Sequence, residues 1–130
     1  SRGRLERARK LLILLIMSVA IAFAASVAIG LVRERPRPYV VQPVTRQLVG
    51  YPGLDRSFPS GHATIAFALA FATAFVLPAW TIPMLAIALL IGFGRVFVGV
   101  HYPFDVIGGA ILSFIVTYAV SHYHGRRGRA

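Results

Sequence analysis

Long apolar runs, almost free of charge, make up most of this chain, and its polar residues gather in the gaps between them. The first run, Leu11 to Val32, is 22 residues long. At 1.5 Å of rise per residue, a helix of that length crosses a hydrocarbon core ~30 Å thick. The run exceeds the ~7–15 apolar residues of a signal peptide, and Gly30-Leu31-Val32-Arg33 makes a poor cleavage site, so it reads as a retained span. Three further spans follow, at Ala63–Trp80, Pro83–Phe97 and Tyr102–Ser121. Pro78 and Pro83 bracket the turn between the second and third, and Trp80 suits a membrane interface. Gly92, Gly94, Gly108 and Gly109 would let neighbouring helices approach closely. Residues 33–60 form the one long polar segment, and Pro36, Pro38, Pro43, Pro52 and Pro59 oppose a continuous helix there. It reads as a structured loop at one membrane face. The pattern predicts an all-α integral membrane bundle of about four transmembrane helices, a single domain over residues 1–130.

Composition agrees with this reading. Of the residues, 57% are hydrophobic and 14% charged, against about 25% charged in a soluble domain. The chain has no cysteine, so no disulfide stabilises it. A net charge of +10 raises the question of nucleic acid, but its distribution answers for a membrane. Arg2, Arg4, Arg7, Arg9 and Lys10 precede the first run, and Arg126, Arg127 and Arg129 follow the last. Basic residues beside spans mark the cytoplasmic side and meet anionic lipid, and no nucleic-acid recognition motif accompanies them. Four spans put both termini on one side, so the basic segments 1–10 and 123–130 are expected in the cytoplasm. The loop then faces the extracytoplasmic side of a plasma (inner) membrane. That loop nevertheless carries Arg33, Arg35, Arg37, Arg46 and Arg56. Binding an anion would give those arginines a reason to be there.

Three polar islands interrupt the apolar pattern: Arg37-Pro38, Pro59-Ser60-Gly61-His62, and Arg95 with His101 and Asp105. Ionisable residues next to spans are costly and mark function by default. Pro59–His62 stands directly ahead of an apolar helix. Ser60 is a good N-cap, and Gly61 lets a ligand approach the backbone. The N–H groups of Ser60 and Gly61, with the positive end of the helix dipole, favour an anion beside His62. Read alone, the same tetrapeptide is an ordinary capped helix start. In the third island Arg95 closes one span and Pro103 fits the first turn of the next. An Asp105 carboxylate accepting a hydrogen bond from one ring nitrogen of His101 would fix the tautomer and leave the other nitrogen to attack. Taken singly, Arg95 is a residue that snorkels to the interface and Asp105 a charge suited to a helix N-terminus. Neither account explains why they occur together with His101. In Arg35-Pro36-Arg37-Pro38 the prolines stiffen the backbone, and guanidinium groups grip phosphate in a bidentate fork. A basic loop resting on lipid headgroups would have the same composition. Two histidines and an aspartate also suit a metal ion, but the flanking arginines would repel a cation. His122 and His124 lie beyond the last span and are read as solvated tail residues.

On these islands the chain resembles the type 2 phosphatidic acid phosphatases, the PAP2 or lipid phosphate phosphatase superfamily, to which vanadium haloperoxidases are related. The family's motifs are Lys-x6-Arg-Pro, Pro-Ser-Gly-His and Ser-Arg-x5-His-x3-Asp. Pro59-Ser60-Gly61-His62 matches the second in full, Arg95, His101 and Asp105 match the third, and Arg37-Pro38 match the end of the first. Two positions depart: the family's lysine falls on Gly30, and Gly94 stands in place of the serine. Arg33 or Arg35 would have to supply the missing charge. The resemblance implies a metal-independent phosphatase without cofactor, acting on an isoprenoid carrier such as undecaprenyl diphosphate, or on phosphatidate or phosphatidylglycerol phosphate. It further implies that Arg37, Arg95 and the N–H groups of Ser60 and Gly61 hold the phosphoryl oxygens. His101 would then form a phosphohistidine, Asp105 would orient it, and His62 would protonate the leaving oxygen and activate water. Many relatives have six spans, so four would be the family's catalytic core with one preceding helix. Two other readings remain: a lipid-binding relative that has lost catalysis, motivated by the absent lysine, and a vanadate-dependent haloperoxidase. The sequence gives no oligomeric state.

Overall fold

The apolar runs become helices whose outer faces stay apolar. The computed structural model describes residues 1–33, 36–41 and 57–127. Its helices are α1 (Arg2–Val32), the single turn α2 (Pro38–Val41), α3 (Gly61–Val76), α4 (Thr81–Phe97) and α5 (Pro103–Arg127). Large apolar side chains point outward all along the bundle, among them Ile82, Leu90 and Phe93 of α4 and Ile111 and Ile115 of α5. Water would penalise such a surface, whereas lipid accepts it. Among the described residues, three helical segments are long and apolar enough to cross a membrane: Arg2–Val32, Pro78–Phe97 and Pro103–Arg127. The protein is an all-α integral membrane bundle.

α3 is the central element. It packs against α1, α4 and α5, and α1 also packs on α5. Its 16 residues make it shorter than its neighbours. The expected second span, Ala63–Trp80, therefore needs correction. The helix ends at Val76, Leu77 leaves helical geometry, and Pro78–Trp80 form a 3-10 turn leading into α4. Pro78 breaks the ladder here because it has no N–H to donate. Residues 2–10 of the basic segment continue α1 outward as helix.

Small residues set the packing distance. α1 buries Leu14, Ser18, Ala22, Ser26 and Gly30, one residue every fourth position. α5 buries Asp105, Gly109, Ser113 and Thr117 at the same interval. Between these stripes α3 contributes Thr64, Ala68 and Ala72. Positions four apart lie on one helix face, and small side chains there let backbones come close without a hydrophobic force from water. The approach is tight enough for Ser113 Oγ on α5 to donate to the Thr64 carbonyl on α3 at 2.6 Å. A Cβ added at Gly109 would sit 3.0 Å from the Ser60 carbonyl oxygen, so this glycine is required by contact between backbones. Gly92 and Gly108 also lie at contacts, against Val106 and Phe58. Gly94 does not: a Cβ there would meet nothing within 4 Å, contrary to its expected packing role. α3 and α5 both begin at this tight crossing, which brings the second and third polar islands to the same end of the bundle.

Candidate active site

Capping interactions lock the starts of α3 and α5 together. Ser60 is fully buried and caps α3, its Oγ accepting from the Ala63 N–H at 3.3 Å. The Ser60 N–H itself donates to the Asp105 carbonyl at 3.0 Å. This corrects the expectation that Ser60 offers its N–H to phosphate: that group ties the two helix starts to each other. Gly61 remains in the first turn, where N–H groups have no acceptor within the helix. At the start of α5, the Asp105 carboxylate reaches back to accept the Tyr102 N–H at 2.7 Å. This is the carboxylate half of a capping box. Just upstream, Gly99 takes a φ of 80°, a left-handed conformation open to glycine at little cost. It turns the chain after α4 so that Val100 and His101 point inward, both buried.

His101 is held from two sides. Its Nδ1 lies 2.9 Å from the Ser57 carbonyl oxygen. A carbonyl only accepts, so Nδ1 carries the proton and Nε2 keeps its lone pair. On the other side, Arg37 Nη1 lies 3.2 Å from Nε2. A guanidinium only donates, so this contact requires the same tautomer. Arg37 is itself buried, and Nη1 also donates to the Val100 carbonyl at 2.9 Å. Nδ1 also lies 3.6 Å from Asp105 Oδ2, at ion-pair distance and longer than the expected direct hydrogen bond. Asp105 instead accepts a hydrogen bond from Ser57 Oγ. Ser57 thus links the pair, its hydroxyl on the carboxylate and its carbonyl on the imidazole. Sequence reasoning missed Ser57, because half of its contribution is a main-chain carbonyl that no side-chain pattern encodes.

His62 lies exposed in the first turn of α3, one residue ahead of the apolar stretch that begins at Ala63. Desolvation holds its imidazole below the ordinary value of 6.5, and the positive charges of Arg95 and Arg37 push it lower still. Arg95 lies in the last turn of α4, just ahead of the turn that carries His101, and Arg37 reaches His101. Two histidines and two arginines from three chain segments therefore share one end of the bundle. Among the described residues, no three His, Cys, Asp or Glu side chains gather as a metal site would.

A profile for the PAP2 superfamily matches residues 11–129. The chain belongs to the PAP2 superfamily. It is 39% identical over 88 residues to the undecaprenyl-diphosphatase BcrC of Bacillus subtilis, which covers 68% of this chain and 45% of that protein. The chain thus spans less than half the length of that relative. Among solved structures it resembles the transmembrane PAP2-type phosphatidylglycerolphosphate phosphatase of Bacillus subtilis, with 27% identity and a TM-score of 0.69. That likeness covers 87% of this chain and 58% of the other. LpxE of Aquifex aeolicus is similar at 26% identity and a TM-score of 0.65, over 90% of this chain and 68% of its own.

Membership of the PAP2 superfamily gives the departures a structural setting. Gly30, where the family carries lysine, is buried on the small-residue stripe of α1. Arg33 follows at the end of α1, exposed, its guanidinium carbon 6.0 Å from the centre of the Phe58 ring. That contact puts an arginine beside the Ser57–Ser60 segment. Arg35, the other residue expected to replace the lysine, lies outside the described residues, as does most of loop 33–60. His122 and His124 sit near the far end of α5, about 25 Å along the helix axis from Asp105.

Proposed function

We propose that this chain is the catalytic core of a membrane phosphatase that hydrolyses the phosphate or diphosphate of a lipid. The observation that carries the reading is the state of His101. Its Nδ1–H is committed to the Ser57 carbonyl at 2.9 Å, and its Nε2 lone pair faces a guanidinium at 3.2 Å. A neutral imidazole with one bare nitrogen beside fixed positive charge suits in-line attack on an anionic phosphorus. The incoming phosphoryl oxygens replace Nε2 as acceptors for Arg37, and Arg95 and the Gly61 N–H hold the rest. Nε2 bonds to phosphorus as the bond to the lipid-side oxygen breaks, and His62 gives that oxygen its proton. The phosphohistidine is positively charged at the ring, and Asp105, through Ser57, stabilises it. A water then loses its proton to His62 and attacks phosphorus, which releases phosphate and restores His101.

The substrate is a lipid whose polar head enters at the site while its tail lies against the apolar outer faces of the helices. An isoprenoid carrier diphosphate is the preferred class, in line with the undecaprenyl-diphosphatase relative, with phosphatidylglycerol phosphate and phosphatidate next. The site faces the extracytoplasmic side and both termini face the cytoplasm. The test is phosphate release by the purified protein from undecaprenyl diphosphate, phosphatidylglycerol phosphate and phosphatidate, with His101→Ala as control. The wild type should release phosphate from at least one, and His101→Ala should be slower by several orders of magnitude, as for loss of a nucleophile. A wild type and variant that are equally active, or equally silent on all three lipids, would overturn the assignment.

A further inference from the structure

At the end of the bundle away from His101, residues of α1 and α5 line a groove of about 550 Å³. That volume falls in the ~300–1,000 Å³ range of small-molecule sites. Its walls are apolar, formed by Met17 and Ile21 of α1 and Ile115 and Ala119 of α5. Its other end is polar, formed by Tyr123, His124 and Arg127. The Arg127 guanidinium carbon stacks 5.0 Å from the centre of the Tyr123 ring, close enough for cation–π attraction to hold it beside the groove.

The charge around this end is one-sided. Leu14 packs with Val120, so the helical turns carrying Arg7, Arg9 and Lys10 lie level with the C-terminal turns of α5. Among the described residues of these turns, Arg2, Arg4, Arg7, Arg9, Lys10, Arg126 and Arg127 are accompanied by a single acidic residue, Glu6. An apolar slot opening at a cluster of cations is complementary to a molecule with a hydrocarbon chain and an anionic head.

We propose that this groove binds an anionic phospholipid of the leaflet nearest the chain termini, one acyl chain between α1 and α5 and the phosphate on Arg127 and His124. The site lies at the opposite end from the phosphatase centre and does not depend on the reaction assigned to it. The test compares dioleoyl phosphatidylglycerol with dioleoyl phosphatidylcholine, offered in equal amounts to the purified protein, with retained lipid counted by native mass spectrometry. The wild type should retain phosphatidylglycerol about fivefold or more over phosphatidylcholine, the preference expected from one well-placed basic residue. Arg127→Gln, on an exposed side chain, should remove that preference. Ala119→Trp, which fills the groove, should lower retention of both lipids. Equal retention of the two lipids by the wild type would overturn the proposal, as would an undiminished preference in Arg127→Gln or unchanged retention in Ala119→Trp. An Ala119→Cys variant that forms a disulfide with a second copy in phosphatidylglycerol vesicles would also overturn it, by showing that protein covers the groove.

Discussion

His101 owes its tautomer to a neighbour's main chain, and Ser57 performs two jobs with two different atoms. Replacing Ser57 with alanine keeps the carbonyl on Nδ1 but takes the hydroxyl from Asp105. A hydrogen bond to a charged group is worth about 1.5–3 kcal/mol, so Ser57→Ala should lower kcat roughly 10- to 100-fold while KM stays nearly constant. Phosphate-release kinetics would check this split, and a rise in KM at unchanged kcat would remove Ser57 from the positioning of His101. His62 makes a second prediction. Desolvation and its cationic neighbours disfavour the imidazolium, so in the free protein His62 loses its proton below pH 6.5. As the proton donor it must be charged, and the alkaline limb of kcat/KM should therefore lie below that value. Arg37→Gln removes one of the depressing charges, so it should move this limb upward even as it slows the reaction. Bound phosphate adds negative charge beside the ring, so the limb of kcat, which reports the complex, should lie above that of kcat/KM. A limb that stays in place in Arg37→Gln would show that the titrating group is not His62.

At the scale of the elements, the site is as rigid as the crossing of α3 and α5. Gly109 is the point of closest approach, where a Cβ would lie 2.9 Å from Thr64 Oγ1 and 3.0 Å from both the Thr64 nitrogen and the Ser60 carbonyl oxygen. Backbone atoms cannot swing aside as a side chain can. Gly109→Ala should therefore destabilise the bundle by about 1–3 kcal/mol, as overpacking does, and separate the helix starts that carry His62 and Asp105. Gly94→Ala is the matched control, because its Cβ would meet open space, and a helical alanine is favoured by up to ~1 kcal/mol over glycine. Thermal unfolding in detergent, followed by loss of helical circular dichroism, should show a lower midpoint for Gly109→Ala and none of that loss for Gly94→Ala. The same crossing shows what the sequence made legible. Apolar run length gave the helices, and the spacing of His62, Arg95, His101 and Asp105 placed four groups at one end. The Ser57 link and the Ser60 N–H bond to Asp105 were illegible, because main-chain partners are set by how two helix starts meet and not by residue type. The break after Val76 was half legible: Pro78 marked it, but the apolar character of Leu77–Trp80 masked the end of the helix.

For the whole molecule, orientation follows from where charge can rest. The basic residues of the α1 start and the α5 end lie together at one end, and the site lies at the other. Loops rich in lysine and arginine stay on the cytoplasmic side, so the candidate site should face outward. The exception is the arginine-rich loop 33–60, which on this reading would cross the membrane against the rule. At least one of its arginines, Arg37, is buried against Val100 and His101, where it is no longer a free juxtamembrane charge. The lack of cysteine in the chain makes the orientation directly measurable with single cysteines. Gly3 and Gly125 sit in open space at the basic end, and Pro36 is exposed beside the site. In intact spheroplasts, a membrane-impermeant maleimide should label Pro36→Cys from outside, and it should label Gly3→Cys and Gly125→Cys only after lysis. The reverse pattern would put the site in the cytoplasm and limit its substrates to lipid phosphates of the inner leaflet. Labelling of Gly3→Cys and Gly125→Cys on opposite sides would break the four-helix threading itself. The expected pattern would instead leave Arg37, withdrawn into the site, as the physical reason that a basic loop can face outward.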